Sequence, residues 1–507
     1  MKTRKILKLA LILMFAGCLT AHADEFEVIH GFAGGTEDGK SPNGSLLMDS
    51  GTLYGMTSAG GDSDYGTVFK INPDGSVFNL LHEFSGYPHD GRSPQGSLIM
   101  DSGTLYGMTK WGGDSALSPR GGTIFKVNPD STGYNILHDF NGSWGEAGDG
   151  RWPSGSLIID SGTLYGMTAQ GGASEDGTVF KINSNGTGYQ NLREFVGGAD
   201  DSGLPFGSLI MDSGKLYGMT NEGGVEEAGT VFSINSDGTG YNLLHDFGVS
   251  GCGWEWPDGS LIMDSGTLYG MTFYGGVPDY GTIFSINSDG TGYNILHEFA
   301  GGVDDGGWPD GSLIMDSGIL YGMTCGGGDS DDGTIFSINS DGTGFNLLHE
   351  FGGGADNGRW PFGNLIMDSG TFYGLTTGGG VNGSGTIFSY DLIEYLIRNA
   401  ANLSPEGFQF GYSAEDIDAL VDLYRNGDPG TPLTIGGIDW TYTDDTFTGY
   451  DKGDAWMGGD TYYIKLGSGL EGNPEGGGPV PELPPHAAQV LVLALGGVVG
   501  WVRRHIK

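Results

Sequence analysis

The string LYGMT occurs at Leu53, Leu105, Leu164, Leu216, Leu268 and Leu320, and FYGLT follows at Phe372. The tyrosines of these seven copies, Tyr54, Tyr106, Tyr165, Tyr217, Tyr269, Tyr321 and Tyr373, lie 52, 59, 52, 52, 52 and 52 residues apart. A period near 50 residues restricts the chain to architectures in which one supersecondary unit stacks on copies of itself. Each unit reads as four short strands. The first is GSLIMD, as at Gly96 to Asp101, and LYGMT is the second. The third is GTVFKIN or GTIFSIN, as at Gly66 to Asn72, and the fourth is NLLHEF, as at Asn79 to Phe84. A Ser-Gly turn such as Ser102-Gly103 joins the first pair. An Asp-Gly turn such as Asp74-Gly75 joins the second; both supply the positive φ of tight hairpins. The 100 glycines follow no G-X-Y period, so they read as turns and not as collagen. No stretch within the repeats has helical periodicity.

Four antiparallel strands repeated seven times predict an all-β fold, a seven-bladed β-propeller over residues 24–391. A blade apolar on both faces cannot bury itself, and a closed ring buries every face. The phase of the repeats supports closure. The chain begins with a lone fourth strand, Phe26 to Phe32, and the last repeat stops at its third strand, Gly385 to Asp391. The N-terminal strand is therefore expected to pair with Gly385–Asp391 and complete the last blade.

With the motifs GTxFxIN, LHxF and LYGMT in view, residues from about Glu25 to Asp391 resemble the GloVer tandem repeat. The resemblance implies a bacterial surface protein that carries a C-terminal sorting signal, and it implies no activity. Residues 392–471 differ and suggest a small α+β accessory domain or stalk. Helices are expected at Asp391 to Asn402 and at Ser413 to Asn426, where Ser413 is an N-cap and Ile417, Leu420, Val421 and Tyr424 share a face. Strands are expected at Trp440-Thr441-Tyr442 and Thr461 to Leu466.

Both ends point to export. Lys2, Arg4, Lys5 and Lys8, the apolar run Leu9 to Leu19 and Ala21-His22-Ala23 form a signal peptide over 1–23. In a second reading, Phe15-Ala16-Gly17-Cys18 resembles a lipobox, and Cys18 would be lipidated. At the other end, a Gly/Pro-rich linker (472–486) precedes an apolar run and basic tail (487–507). The motif Val480-Pro481-Glu482-Leu483-Pro484 in that order resembles the PEP-CTERM signal, with Leu483 where the family has Pro. The resemblance implies an exosortase-type processing enzyme as partner. The alternative is a plain membrane anchor. Either way the body is expected at the cell surface or released.

The formal net charge is −41, from 22 basic and 63 acidic side chains, which repels phosphate backbones and excludes nucleic acid as partner. No G-x-S-x-G, H-E-x-x-H or Walker motif is present, no cofactor is implied, and no carboxylate pair stands out as a glycosidase acid and nucleophile. Candidate ligand contacts lie in the loops leading into the blades, of the form D-G-x-[W/S/L]-P-x-G, on the face that carries the variable connections. Asp38, Asp90, Asp149, Asp201 and Asp305 recur there, with Gly253 and Asn357 at the equivalent positions of the other two blades. Trp152, Trp256, Trp308 and Trp360 precede the proline. Such a ring suits sugar, through aromatic platforms and hydroxyl-binding carboxylates, or calcium through oxygen ligands. The alternative is structural: each Asp caps its own turn and each Trp packs between blades. The fourth-strand His30, His82, His138, His245, His297 and His349, with Arg193 in their place once, sit one per blade. They are too dispersed for a metal and suit structural hydrogen bonds. Cys252 and Cys325 fall in adjacent blades, as a disulfide or as two free thiols. The expected function is a non-catalytic binding or structural module engaging extracellular polysaccharide or protein. The alternative is a polysaccharide-active enzyme.

Overall fold

The computed structural model describes residues 25–86, 88–113, 121–141, 148–248 and 255–392, and four strands within 433–465. The repeats fold as seven four-stranded antiparallel blades, and the chain is an all-β seven-bladed propeller. In blade two the strands are Gly91–Asp101, Thr104–Gly112, Thr123–Val127 and Asn135–Asp139, ordered from the axis outwards.

The recurring motif residues are explained by contacts. The glycine of LYGMT lies under the phenylalanine of GTxF in its own blade; a Cβ on Gly166 would sit 2.6 Å from Phe180 Cζ. Buried threonines opposite each other on the second and third strands share a hydroxyl hydrogen bond, as Thr168 and Thr178 do at 2.9 Å. Between blades, Tyr106, Met108, Ile124 and Phe140 pack on Leu157, Leu164, Phe180 and Ile182 of the next. Each such side chain contributes about 1.5–3 kcal/mol of apolar burial. The glycine that opens GTxF meets the proline of the following blade. A Cβ on Gly122 would lie 2.7 Å from Pro153 Cδ, and the contact closes the circle at Gly385 and Pro42.

Closure is as the repeat phase predicts. Phe26–Gly31 pairs antiparallel with Thr386–Asp391, from Phe26 opposite Tyr390 to Gly31 opposite Thr386. Phe26 stacks on His349 at 4.0 Å, and fully buried Phe32 packs with Leu46, Leu53 and Phe69 of blade one.

One expectation needs correction. The D-G-x-x-P segment is not a loop in blades two to four. It is the first half of the innermost strand, which runs Gly91–Asp101, Gly150–Asp160 and Ser202–Asp212. The ladder to the second strand is interrupted at x-Gly-Ser, between Ser154 and Ile158 in blade three. Proline is tolerated because this strand is the edge facing the axis, where its missing N–H costs no ladder bond.

The segments Leu433–Ile435, Ile438–Thr443, Thr446–Asp451 and Thr461–Lys465 form a separate antiparallel meander that contains both strands expected there. Asp391 ends the last propeller strand. The remainder of the first expected helix, the second at Ser413 to Asn426, the export signal, the linker and the apolar tail lie outside the described residues. Among the described residues no helix is long and apolar enough to cross a membrane.

Candidate functional site

The recurring aspartates turn inward on their own connections. Asp38 accepts from the backbone N–H groups of Ala33 and Gly39, both at 2.7 Å, and meets His30 Nε2 at 3.3 Å. Asp90 meets His82 Nε2 at 3.2 Å, accepts from Ser85 and Gly91 N–H, and takes the Tyr134 hydroxyl. Asp149 pairs with His138 at 2.6 Å and Asp305 with His297 at 3.1 Å. Where Arg193 replaces His it reaches Asp201 at 2.7 Å, and where Asn357 replaces Asp it meets His349 at 3.4 Å. Each ring also stacks on an aromatic, as His138 does on Tyr189 at 3.9 Å; Arg193 lies over Tyr241 at 4.1 Å. The histidine and aspartate, separate in the sequence, form one device, with Arg193 or Asn357 as substitutes, that pins a blade to the next at six of the seven junctions. Burial pushes the Asp90 carboxyl up, but bonds from His82, Tyr134 and Ser85 hold it below the usual carboxylate range.

Two histidines lack that carboxylate. Burial lowers His245 to about 4. Burial also lowers His349 to about 4, against a smaller opposing effect of Asn357. The unfolded chain then binds more protons than the fold between pH about 6.5 and about 4, so these groups remove stability as pH falls through that window. A His245→Phe, His349→Phe double variant is expected to show a smaller drop in Tm from pH 7 to pH 4.5 than the parent. An equal drop in calorimetry would exclude these two rings as its source.

The residue before each proline has positive φ in all seven blades, including Trp152 at 56°, Trp256 at 37°, Trp308 at 55° and Trp360 at 55°. This left-handed backbone is costly for bulky residues. It is held by a bond to the preceding blade, as from Trp308 N–H to Tyr280 O at 2.7 Å. Trp152 packs edgewise on Trp111 under Arg151, Trp256 on Tyr274 and Trp308 beside Tyr280. Trp360, 45% exposed with Arg359 stacked at 4.1 Å, is the open platform of the four.

The innermost strands meet at the axis. In each x-Gly-[Ser/Asn] segment, the backbone N–H of the Ser or Asn donates to the corresponding side-chain oxygen of the next blade. The chain of bonds runs from Ser45 to Ser97, Ser156, Ser208, Ser260, Ser312 and Asn364, at 2.6–2.8 Å, and Asn364 N–H returns to Ser45 Oγ at 2.7 Å. This closed ring borders an axial cavity of about 120 Å3.

Around that cavity the sevenfold symmetry fails. The x positions are Asn43, Gln95, Ser154, Phe206, Asp258, Asp310 and Phe362. The residues after the second-strand threonine are Ser58, Lys110, Ala169, Asn221, Phe273, Cys325 and Thr377. Asp258 and Asp310 come from adjacent blades, and Lys110 comes from the opposite side of the ring. Burial pushes the Asp258 carboxyl up to about 6, against an Asn221 hydrogen bond and the Lys110 charge. Burial and the Asp258 charge raise Asp310 well above the carboxylate range. Burial lowers the Lys110 ammonium, and the Asp258 charge partly restores it. Cys325 is a free thiol that donates to Pro361 O at 3.4 Å, and burial with the two carboxylates raises its pKa, so it is a poor nucleophile. Its suggested partner Cys252 lies outside the described residues.

The sequence reading singled out none of Asp258, Asp310, Lys110 or Asn221. Their signal was present: two positions per repeat that vary between constant neighbours, one inside the second strand and one beside the axis, whereas variation was sought only in the connecting loops.

A family model described as Gloeobacter/Verrucomicrobia repeat matches residues 18–203, 117–255 and 205–405. No curated protein matches the chain. Among solved structures, an oligogalacturonate lyase in complex with manganese is similar at 13% identity, with 70% of this chain and 90% of that chain covered and a TM-score of 0.44. A GH74 xyloglucanase from Xanthomonas campestris is similar at 12% identity, covering 86% and 67%, with a TM-score of 0.49.

Proposed function

The chain belongs to the Gloeobacter/Verrucomicrobia repeat family, and from that premise we propose that it is an exported cell-surface binding module whose ligand, extracellular polysaccharide, enters the axial cavity. The observation that carries this reading is the loss of symmetry at the axis. At the cavity lining the x positions differ from blade to blade while the Gly and Ser or Asn beside them are held constant by the ring. The ring makes the same demand of every blade and gives no reason for Asp258 and Asp310 to stand there. Trp360 is an open aromatic platform on the inner strand that leads to Phe362, and aromatic faces with carboxylates suit sugar rings. The N-terminal signal and the Pro-Glu motif support delivery to the surface through an exosortase-type enzyme. The oxygen ligands of the recurring aspartates are engaged in turns, so calcium is not part of the reading.

A second reading, a polysaccharide-active enzyme, is favoured by one feature. Asp258 and Asp310 are buried carboxylates from adjacent blades, both with raised proton affinity, and a carboxyl pair is the equipment of glycoside chemistry.

A glycan array on the exported protein, followed by a reducing-end assay on any polysaccharide that binds, separates the two. Binding without new reducing ends, weakened at least tenfold by Asp258→Asn with Asp310→Asn and severalfold by Trp360→Ala, is expected. Release of new ends, abolished by the same double variant, would replace the module with an enzyme. Binding unaffected by either change would move the ligand off the axis.

A further inference from the structure

The axial cavity has unmet bonding demands that specify more than a sugar. Asp310 is 9% exposed, lines the cavity, and its carboxylate makes no hydrogen bond or ion pair with any described residue. Asp258 is bonded by Asn221, whose Oδ1 is buried without a partner. Lys110 makes no ion pair within 4 Å with a described residue, so it does not neutralise the pair by contact. Two carboxylates thus line the cavity from blades five and six, Asp258 with the Asn221 amide as donor and Asp310 with no described donor.

A metal ion fits this set poorly. Calcium takes six to eight oxygens, and among the described residues no three His, Cys, Asp or Glu side chains are placed to share an ion. A primary ammonium has three N–H donors and no acceptor, which suits a pair of carboxylates short of donors. Phe206 and Phe362 line the same cavity and offer apolar or cation-binding ring faces. The volume of about 120 Å3 is of the order of a cavity that accepts one six-membered ring.

We infer that the axial cavity is an ammonium-recognition subsite that takes one unacetylated amino-sugar ring, its –NH3+ held by Asp258 and Asp310. The inference rests on the polysaccharide-binding reading and narrows its ligand.

The test is titration calorimetry on the whole exported protein with glucosamine, N-acetylglucosamine, glucose and calcium chloride. Glucosamine is expected to bind at least tenfold tighter than N-acetylglucosamine or glucose, and to lose at least tenfold in Asp310→Asn and in Asp258→Asn. Asp310→Asn should melt no lower than the parent, since it removes a buried carboxyl and keeps the shape. Equal or tighter binding of N-acetylglucosamine would overturn the ammonium site while leaving sugar binding in place. Calcium binding tighter than glucosamine and displacing it would overturn it in favour of a metal. Glucosamine affinity unchanged in both variants would place the ammonium elsewhere. Failure of every sugar here and of every glycan on the array would remove the polysaccharide reading itself.

Discussion

Deleting residues 25–32 is expected to abolish cooperative unfolding of the propeller and to drive the chain into aggregates. The lost strand is the outermost of blade seven, and its five ladder pairs with Thr386–Asp391 hold the first and last blades together. Without it, Thr386–Asp391 becomes an exposed apolar edge, a template for pairing with other chains. The apolar cluster at the seam also loses Phe32, which is fully buried against Leu46, Leu53 and Phe69. Phe32→Ala alone is expected to cost about 3–5 kcal/mol, the usual range for truncating a buried phenylalanine. Thermal unfolding followed by circular dichroism, with size-exclusion chromatography, reads both changes. A synthetic peptide of residues 25–33 added in trans should restore solubility to the deleted chain. A monomeric deleted chain that still melts cooperatively near the parent temperature would show that the ring does not depend on this closure.

The second large effect is expected at the axis, from Gly155→Ala. Gly155 has a φ of +71°, and a Cβ there would stand 1.8 Å from the carbonyl oxygen of Gly207 in the next blade. Neither group can yield, because both are backbone within the closed ring of Ser and Asn hydrogen bonds. We expect a loss of about 2–4 kcal/mol, combining left-handed strain with overpacking. Gly162→Ala is the control. It has a φ of +78° but only Ser184 Oγ, at 3.8 Å, near the new methyl. It should cost about 1 kcal/mol, the conformational share alone. Chemical denaturation of the two variants measures the difference. Equal losses would mean that the axial ring gives way and that the inner strands are not packed backbone to backbone.

The sequence carried the architecture unusually far because the demands on a blade are local. A Ser-Gly turn, a glycine beneath a phenylalanine and alternating apolar residues define each hairpin within one repeat. Seven copies and an unpaired fourth strand at the start leave one economical closure. The His–Asp pairs were legible as two periodic residues but not as partners. Their bond spans the connection between blades, eight residues at five of the six described pairs and eleven between His138 and Asp149, and a regular spacing alone did not mark the two residues as partners. The prolines hid the true length of the innermost strand, since a proline normally argues against strand and is allowed here only because the strand faces the axis.

From the sequence alone come the seven blades, their four strands, the closing strand and the acidic, exported character expected of the chain. Tertiary structure decided which of the many carboxylates matter. Lys110 and Asn221 sit at unremarkable places in second strands, and Asp258 and Asp310 in the segments before Ile262 and Ile314, in four blades far apart along the chain. Only the curvature of the closed ring brings them to one axis, and only burial there separates their proton affinities. Periodicity records what every blade shares, whereas a site at the centre is made of what the blades do not share.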